Sequence, residues 1–108
     1  MKKITNKQIL VNTEKKILRE KMKIIFMEIW RERKHKSEIS GKFLGKEPLT
    51  IFFHHILPKS KYKNLSLNKD NIILLTFEEH QRVEIDPFIY EEINKRRNKL
   101  IEYDRNYR

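Results

Sequence analysis

Apolar residues recur every three to four positions between Thr13 and Arg33. Ile17, Leu18, Ile24, Ile25, Met27, Ile29 and Trp30 form a broad stripe, and Lys15, Lys16, Arg19, Lys21 and Lys23 fill the other face. This period predicts an amphipathic helix over 13–33. Asn12 or Thr13 suits its N-cap, and Glu14 places negative charge in the first turn, where the helix dipole favours it. Residues 1–12 are polar and basic without a sustained period, which predicts a flexible N-terminus. After Arg33 the pattern breaks. The stretch KHKSEISGKFLGKEPL holds both glycines, Gly41 and Gly45, and Pro48, so a knuckle of turns is expected over 34–48.

The period then shortens. Thr50, Ile51, Phe52 and Phe53 are strand formers, and a strand is predicted from Leu49 to Ile56, ended by Pro58. A polar loop over 57–70 carries Lys59, Lys61, Lys63 and Lys69. Asn71 to Thr76 reads as a second strand, apolar enough to be buried. Thr76 with Glu79 three residues on makes a capping box, opening a helix that bears His80 and Glu84. Asp86-Pro87 ends that helix and begins a last one over 87–104, with Phe88, Ile89, Ile93, Leu100 and Ile101 as its packing residues. The predicted class is α+β: one domain over 13–108, with a strand-loop-strand-helix core at 49–85 flanked by N-terminal and C-terminal helices.

A length of 108 residues bounds this to one domain, and 38% hydrophobic against 37% charged residues makes its core thin. The net charge of +10 draws the chain to polyanions, meaning DNA, RNA or an anionic membrane. No apolar run approaches a membrane span, and the N-terminus lacks a signal-peptide apolar region. No cysteine is present, so disulfides and thiolate zinc sites are excluded. A cytoplasmic location is the expectation.

The chemistry concentrates in residues 52–80. His54 and His55 end the first strand and His80 lies near the start of the following helix, so an antiparallel strand pair with a helix across it would bring them together. Imidazole suits transition metals, while oxygen ligands suit magnesium or manganese. Adjacent strand residues point to opposite faces, so one histidine as ligand and the other as base is the natural division. His35, beside basic residues, reads as an exposed surface histidine without a role. Lys59, Lys61 and Lys63 could contact phosphate or be ordinary loop lysines.

His54-His55 followed by Ile56, Leu57 and Pro58, then Asn71 heading Ile72–Leu75, then His80, resembles the HNH nucleases in order and spacing. The clear match spans about residues 52–84. A looser one reaches back through IWRERKHKSEISGKFLG and looks like phage-type members. The resemblance implies a ββα-metal fold and one divalent metal ion, with magnesium, manganese, nickel and zinc not distinguished. It implies that His54 and His80 are metal ligands, that His55 is the general base, and that Asn71 pins the loop and orients His55. Some members place a third ligand at the offset of Glu84; a solvent-facing glutamate paired with a lysine is the alternative there. The implied activity is DNA phosphodiester hydrolysis, by nicking or double-strand cutting with low intrinsic sequence specificity, leaving a 5′-phosphate and a 3′-hydroxyl. For a phage or mobile-element chain the compartment would be the host cytoplasm.

Phage-type relatives carry two CxxC pairs that bind a structural zinc. The equivalent positions here are Ser37, Ser40, Thr76 and Glu79, so no structural zinc is expected. Packing by Phe43, Leu44, Phe52 and Phe77 is the expected substitute. Two other readings compete with an endonuclease that acts on DNA: a non-catalytic nucleic-acid-binding domain, and a basic accessory module of a phage packaging machine in which the histidines merely pack. A homodimer and phage packaging proteins stay open as further partners.

Overall fold

Two short strands, β1 (Phe53–His55) and β2 (Ile72–Leu74), pair antiparallel, with Phe53 opposite Leu74, His54 opposite Ile73 and His55 opposite Ile72. They lie among three helices, α1 (Asn6–Glu32), α2 (Phe77–Ile85) and α3 (Glu91–Asn106), in a computed structural model that describes residues 6–106. The class is α+β, as expected. Strand alternation sorts the side chains. Phe53, Ile72 and Leu74 pack with Met22, Ile29 and Trp30 of α1 and with Leu44 and Phe52. Ile73 and Leu75 join Ile56, Leu57, Leu65, Val83 of α2 and Ile93 and Leu100 of α3 in a second cluster. The sheet is therefore covered on both faces, which is why Ile72 to Leu75 is a continuous apolar run with no exposed surface.

That register also separates the two histidines. His55 shares a face with Phe53 and Ile72 and looks toward α1. His54 shares a face with Ile73 and looks toward α2 and α3.

Several element boundaries differ from expectation. α1 is helical from Asn6 rather than from Thr13, so residues 6–12 are not a flexible tail; residues 1–5 of that tail lie outside the described residues. The sequence contains no Gly or Pro before Gly41, and its lysines, leucines and glutamates favour helix. Only part of the predicted stripe packs: Ile29 and Trp30 are buried and Ile25 is half-buried, while Ile17, Leu18, Ile24 and Met27 are exposed. The first strand is shorter than expected because Thr50–Phe52 forms a 3-10 turn, with the Phe52 amide donating to the Leu49 carbonyl at 3.0 Å. The last helix begins at Glu91, not Pro87. Asp86 instead holds a turn: its side chain accepts from the Phe88 amide at 3.1 Å and its carbonyl from the Ile89 amide at 3.2 Å. Phe88 and Ile89 are consequently exposed rather than packed.

The knuckle forms as a bend closed by pairing of Lys36 with Phe43. Gly41 and Gly45 sit at φ 75° and 107°, a region that favours glycine. Ser37, Thr76 and Glu79 meet beside it. Ser37 donates to Glu79 Oε1 at 2.6 Å, and the Thr76 amide donates to the same oxygen at 2.8 Å. The Glu79 amide donates to Thr76 Oγ1 at 3.1 Å, completing the predicted capping box. The amides of Ile39 and Ser40 both donate to Ser37 Oγ at 3.1 Å. Burial pushes the Glu79 carboxyl up, but the hydrogen bonds from Ser37, the Thr76 backbone and Ser40 outweigh it and hold the group below its ordinary value. The knuckle is thus tied to α2 by a buried hydrogen-bond cluster. This corrects the expectation of aromatic packing: Leu44 and Phe52 are buried, but Phe43 and Phe77 are exposed.

His35 is also not a bare surface residue. It stacks on Trp30 at 4.1 Å and donates from Nε2 to the Trp30 carbonyl at 3.0 Å. No helix among the described residues is long and apolar enough to cross a membrane.

Candidate metal centre

His80 is placed by the capping box, because Thr76 fixes where α2 starts and the His80 amide closes the first turn on the Thr76 carbonyl at 2.9 Å. Its Nδ1 lies 2.7 Å from the carbonyl oxygen of Ile51. A carbonyl only accepts, so Nδ1 carries a proton, and in the neutral ring Nε2 presents a lone pair. The 3-10 turn that shortened the first strand therefore serves the site, since it supplies the carbonyl that orients His80. Ligating histidines are commonly held through their other ring nitrogen in this way.

Glu84 follows one turn later, and its Oε1 is 3.2 Å from His80 Nε2. A lone pair and a carboxylate oxygen at that separation repel unless a cation lies with them, either a proton on Nε2 or a metal ion. His54 completes the group from β1. Its ring meets that of His80 edge-on at 5.0 Å between centroids. One donor atom from each of His54, His80 and Glu84 lies within 4.8 Å of the other two. Two imidazoles and a carboxylate with an open side fit a divalent transition metal. Burial, followed by the charges of His80, His55 and Arg97, lowers the pKa of His54 to about 4. The imidazole is therefore neutral at pH 7 and free of competition from protons. Glu84, for which a lysine partner was the alternative, meets His80 instead.

His55 is held differently. Its Nε2 donates to the Ser66 carbonyl at 2.9 Å, leaving Nδ1 with a free lone pair. Burial lowers its pKa, the Ser66 hydrogen bond partly restores it, and the charge of Lys59 lowers it again. The side-chain hydrogen bonds of Asn71 go to the loop and not to His55. Fully buried, Asn71 accepts from the Leu57 amide at 2.7 Å and donates to the carbonyls of Leu57 and Leu65 at 3.1 and 3.2 Å. It pins both ends of the loop, and Ser66, next to Leu65, supplies the carbonyl that positions His55.

His54, His55, His80 and Glu84 open on one cavity of about 430 Å³, lined also by Lys59 and Arg97 among others. A neighbouring groove of about 480 Å³ shares His55, Lys59 and His80 with it and runs to Arg19 and Lys23 of α1. Lys59 is thus brought to the site. Lys61 and Lys63 are not among its lining residues, and Lys61 instead lies over the Tyr62 ring at 5.9 Å.

Sequence reasoning missed Arg97, Ser66 and Ile51. The last two act through backbone carbonyls, which side-chain identity does not report. Arg97 had a signal: it falls four residues after Ile93 and three before Leu100, an arginine on the packing stripe of α3. Comparison of the chain with protein-family models, with curated proteins and with solved structures finds no match.

Proposed function

We propose that the chain is a divalent-metal-dependent endonuclease that hydrolyses DNA phosphodiester bonds, built on the ββα-metal core of the HNH nucleases it resembles. The observation that carries this reading is the division of labour among the histidines. His54 and His80 gather with Glu84, while His55, one strand position away, opens on the same cavity with a free Nδ1 and a proton locked on Nε2. A module that only binds nucleic acid has no use for a base set beside a ligand triad. The positive charge of the chain supports a polyanionic substrate without identifying it.

In this mechanism His54, His80 and Glu84 would hold the ion. When bound, it supplies Lewis-acid stabilisation of the charge that builds on the phosphoryl and leaving 3′ oxygens. His55 takes the proton of the attacking water on Nδ1, and the hydroxide so formed attacks phosphorus. The Ser66 carbonyl keeps the ring oriented and stabilises the imidazolium that results. The bond to the 3′ oxygen breaks, and that oxygen takes a proton from solvent, giving a 5′-phosphate and a 3′-hydroxyl. Lys59, at the rim beside His55, adds attraction for the phosphate backbone.

Supercoiled plasmid incubated with the protein and magnesium, manganese, nickel or zinc in turn provides the test. Metal-dependent appearance of nicked circles is expected. Folded protein that leaves the plasmid intact with every metal would rule the enzyme out and leave a DNA-binding or packaging role.

A further inference from the structure

We propose that Arg97 is the phosphate-holding residue of this site, its guanidinium seating a non-bridging oxygen of the substrate backbone opposite the His54–His80–Glu84 group. The inference rests on the endonuclease reading for its substrate. Three features of Arg97 lead to it.

First, α3 brings Arg97 into the wall of the histidine cavity, near enough for its charge to act on His54. Second, its fork is fixed by neutral groups alone. Nη1 donates to Asn94 Oδ1 at 2.7 Å, Nη2 donates to the Pro87 carbonyl at 2.5 Å, and Cζ lies 4.7 Å from the centre of the Phe88 ring. Of the five N–H donors of a guanidinium, these two contacts leave most directions open. Third, the charge is not neutralised. Among the described residues Arg97 forms no ion pair, whereas Arg33 and Arg96 share Glu38, and Lys69 is held by Glu28 and Glu32. Arg96 and Arg97 are neighbours in sequence with opposite fates: one is spent on structure and the other is kept unpaired.

A half-buried cation beside a metal-ligand group is unfavourable by itself. Burial penalises it and lowers its pKa, and a bound divalent ion would repel it. An anion entering between the two reverses both penalties. A planar fork held in place matches phosphate oxygens better than a mobile ammonium does. Lys59, Lys61 and Lys63, exposed on the loop, are by contrast held by no comparable set of contacts.

The test uses the full chain carrying His55→Ala, so that DNA stays whole, and a short fluorescein-labelled DNA duplex as probe. Anisotropy titrations run from about 50 to about 200 mM salt. Adding Arg97→Gln is expected to weaken binding about tenfold and to lower the slope of log Kd against log salt by about one. Arg97→Lys is expected to restore most of the slope. Thermal melting shows whether each variant stays folded; should Arg97→Gln unfold, Arg97→Lys against its parent decides, a wild-type slope with affinity reduced severalfold being expected and an unchanged affinity overturning the proposal. An unchanged slope and affinity in folded Arg97→Gln would overturn the proposal, as would no duplex binding by the parent even at low salt. The enzyme reading is read separately, from plasmid nicking without His55→Ala. Nicking with an unaltered Arg97→Gln slope would sink this inference alone, and a lowered slope without nicking would sink the enzyme alone.

Discussion

Asn71 is the residue whose replacement has the most calculable consequence. It has no exposed surface and makes three hydrogen bonds, all to main-chain groups of Leu57 and Leu65. Asn71→Ala strands one amide and two carbonyls in a region sealed by Leu57, Leu65 and Ile73. An orphaned buried polar group costs about 1–3 kcal/mol, so the sum is about 3–6 kcal/mol after partial relaxation. A domain of this size has about 5–15 kcal/mol in total, and each kcal/mol moves the midpoint by about 4–8 °C. The melting temperature should therefore fall by about 12–48 °C, measured by circular dichroism with urea unfolding alongside. Asn71→Asp should not rescue it, because a carboxylate would face the two carbonyl oxygens that now accept from the amide. A loss below about 1 kcal/mol would refute the assignment of Asn71 as the pin of the loop.

Four further sets of outcomes follow from named contacts. Glu79→Ala should cost about 2–3 kcal/mol by urea unfolding. Glu79→Gln should stay within about 1 kcal/mol, since Ser37 and the Thr76 amide both donate to one oxygen that an amide retains. Because the Glu79 carboxyl is held low, that stability is present above its ordinary value of 4.5 and is lost as pH falls through the lower folded value. For His55 the lowered pKa means the basic form persists below 6.5, so nicking rates should hold from neutral pH down to there, and the acid limb should have its midpoint lower; a midpoint above 6.5 contradicts this. In metal-free protein the His54 ring should titrate near 4 by NMR; the unfolded chain takes up this proton first, so stability is full above 6.5 and declines toward pH 4. Calorimetric titration with manganese or nickel should show Glu84→Gln weakening binding about tenfold and His80→Ala abolishing it, whereas equal affinity in both variants would remove the triad.

Legibility in the sequence followed the range of the forces involved. The capping box at Thr76 and Glu79 was readable because its parts are three residues apart, and so was the break at Asp86-Pro87. The buried strand at Ile72–Leu74 was readable because a run of four apolar residues, Ile72 to Leu75, has few other uses. Sheet alternation correctly separated His54 from His55. What was not legible depends on contacts far apart in the chain or on main-chain atoms. The 3-10 turn at Thr50–Phe52 has strand-forming residues, yet its geometry places the Ile51 carbonyl against His80, 29 residues away in sequence. Ser37 and Glu79 looked like the remnants of a lost metal site, and their 2.6 Å hydrogen bond appears only when the knuckle meets α2. α1 misled in the other direction: its stripe predicts packing along the whole helix, but from Asn6 to Lys21 each side chain is exposed.

The most direct measurement is plasmid cleavage by the wild-type chain and by His55→Ala, side by side, with metal and DNA affinities determined on the same samples. His55→Ala is expected to bind metal through His54, His80 and Glu84 and to bind DNA nearly as the wild type does, yet to cut at background rate. Equal cutting by the two proteins would contradict the assignment of His55 as the base.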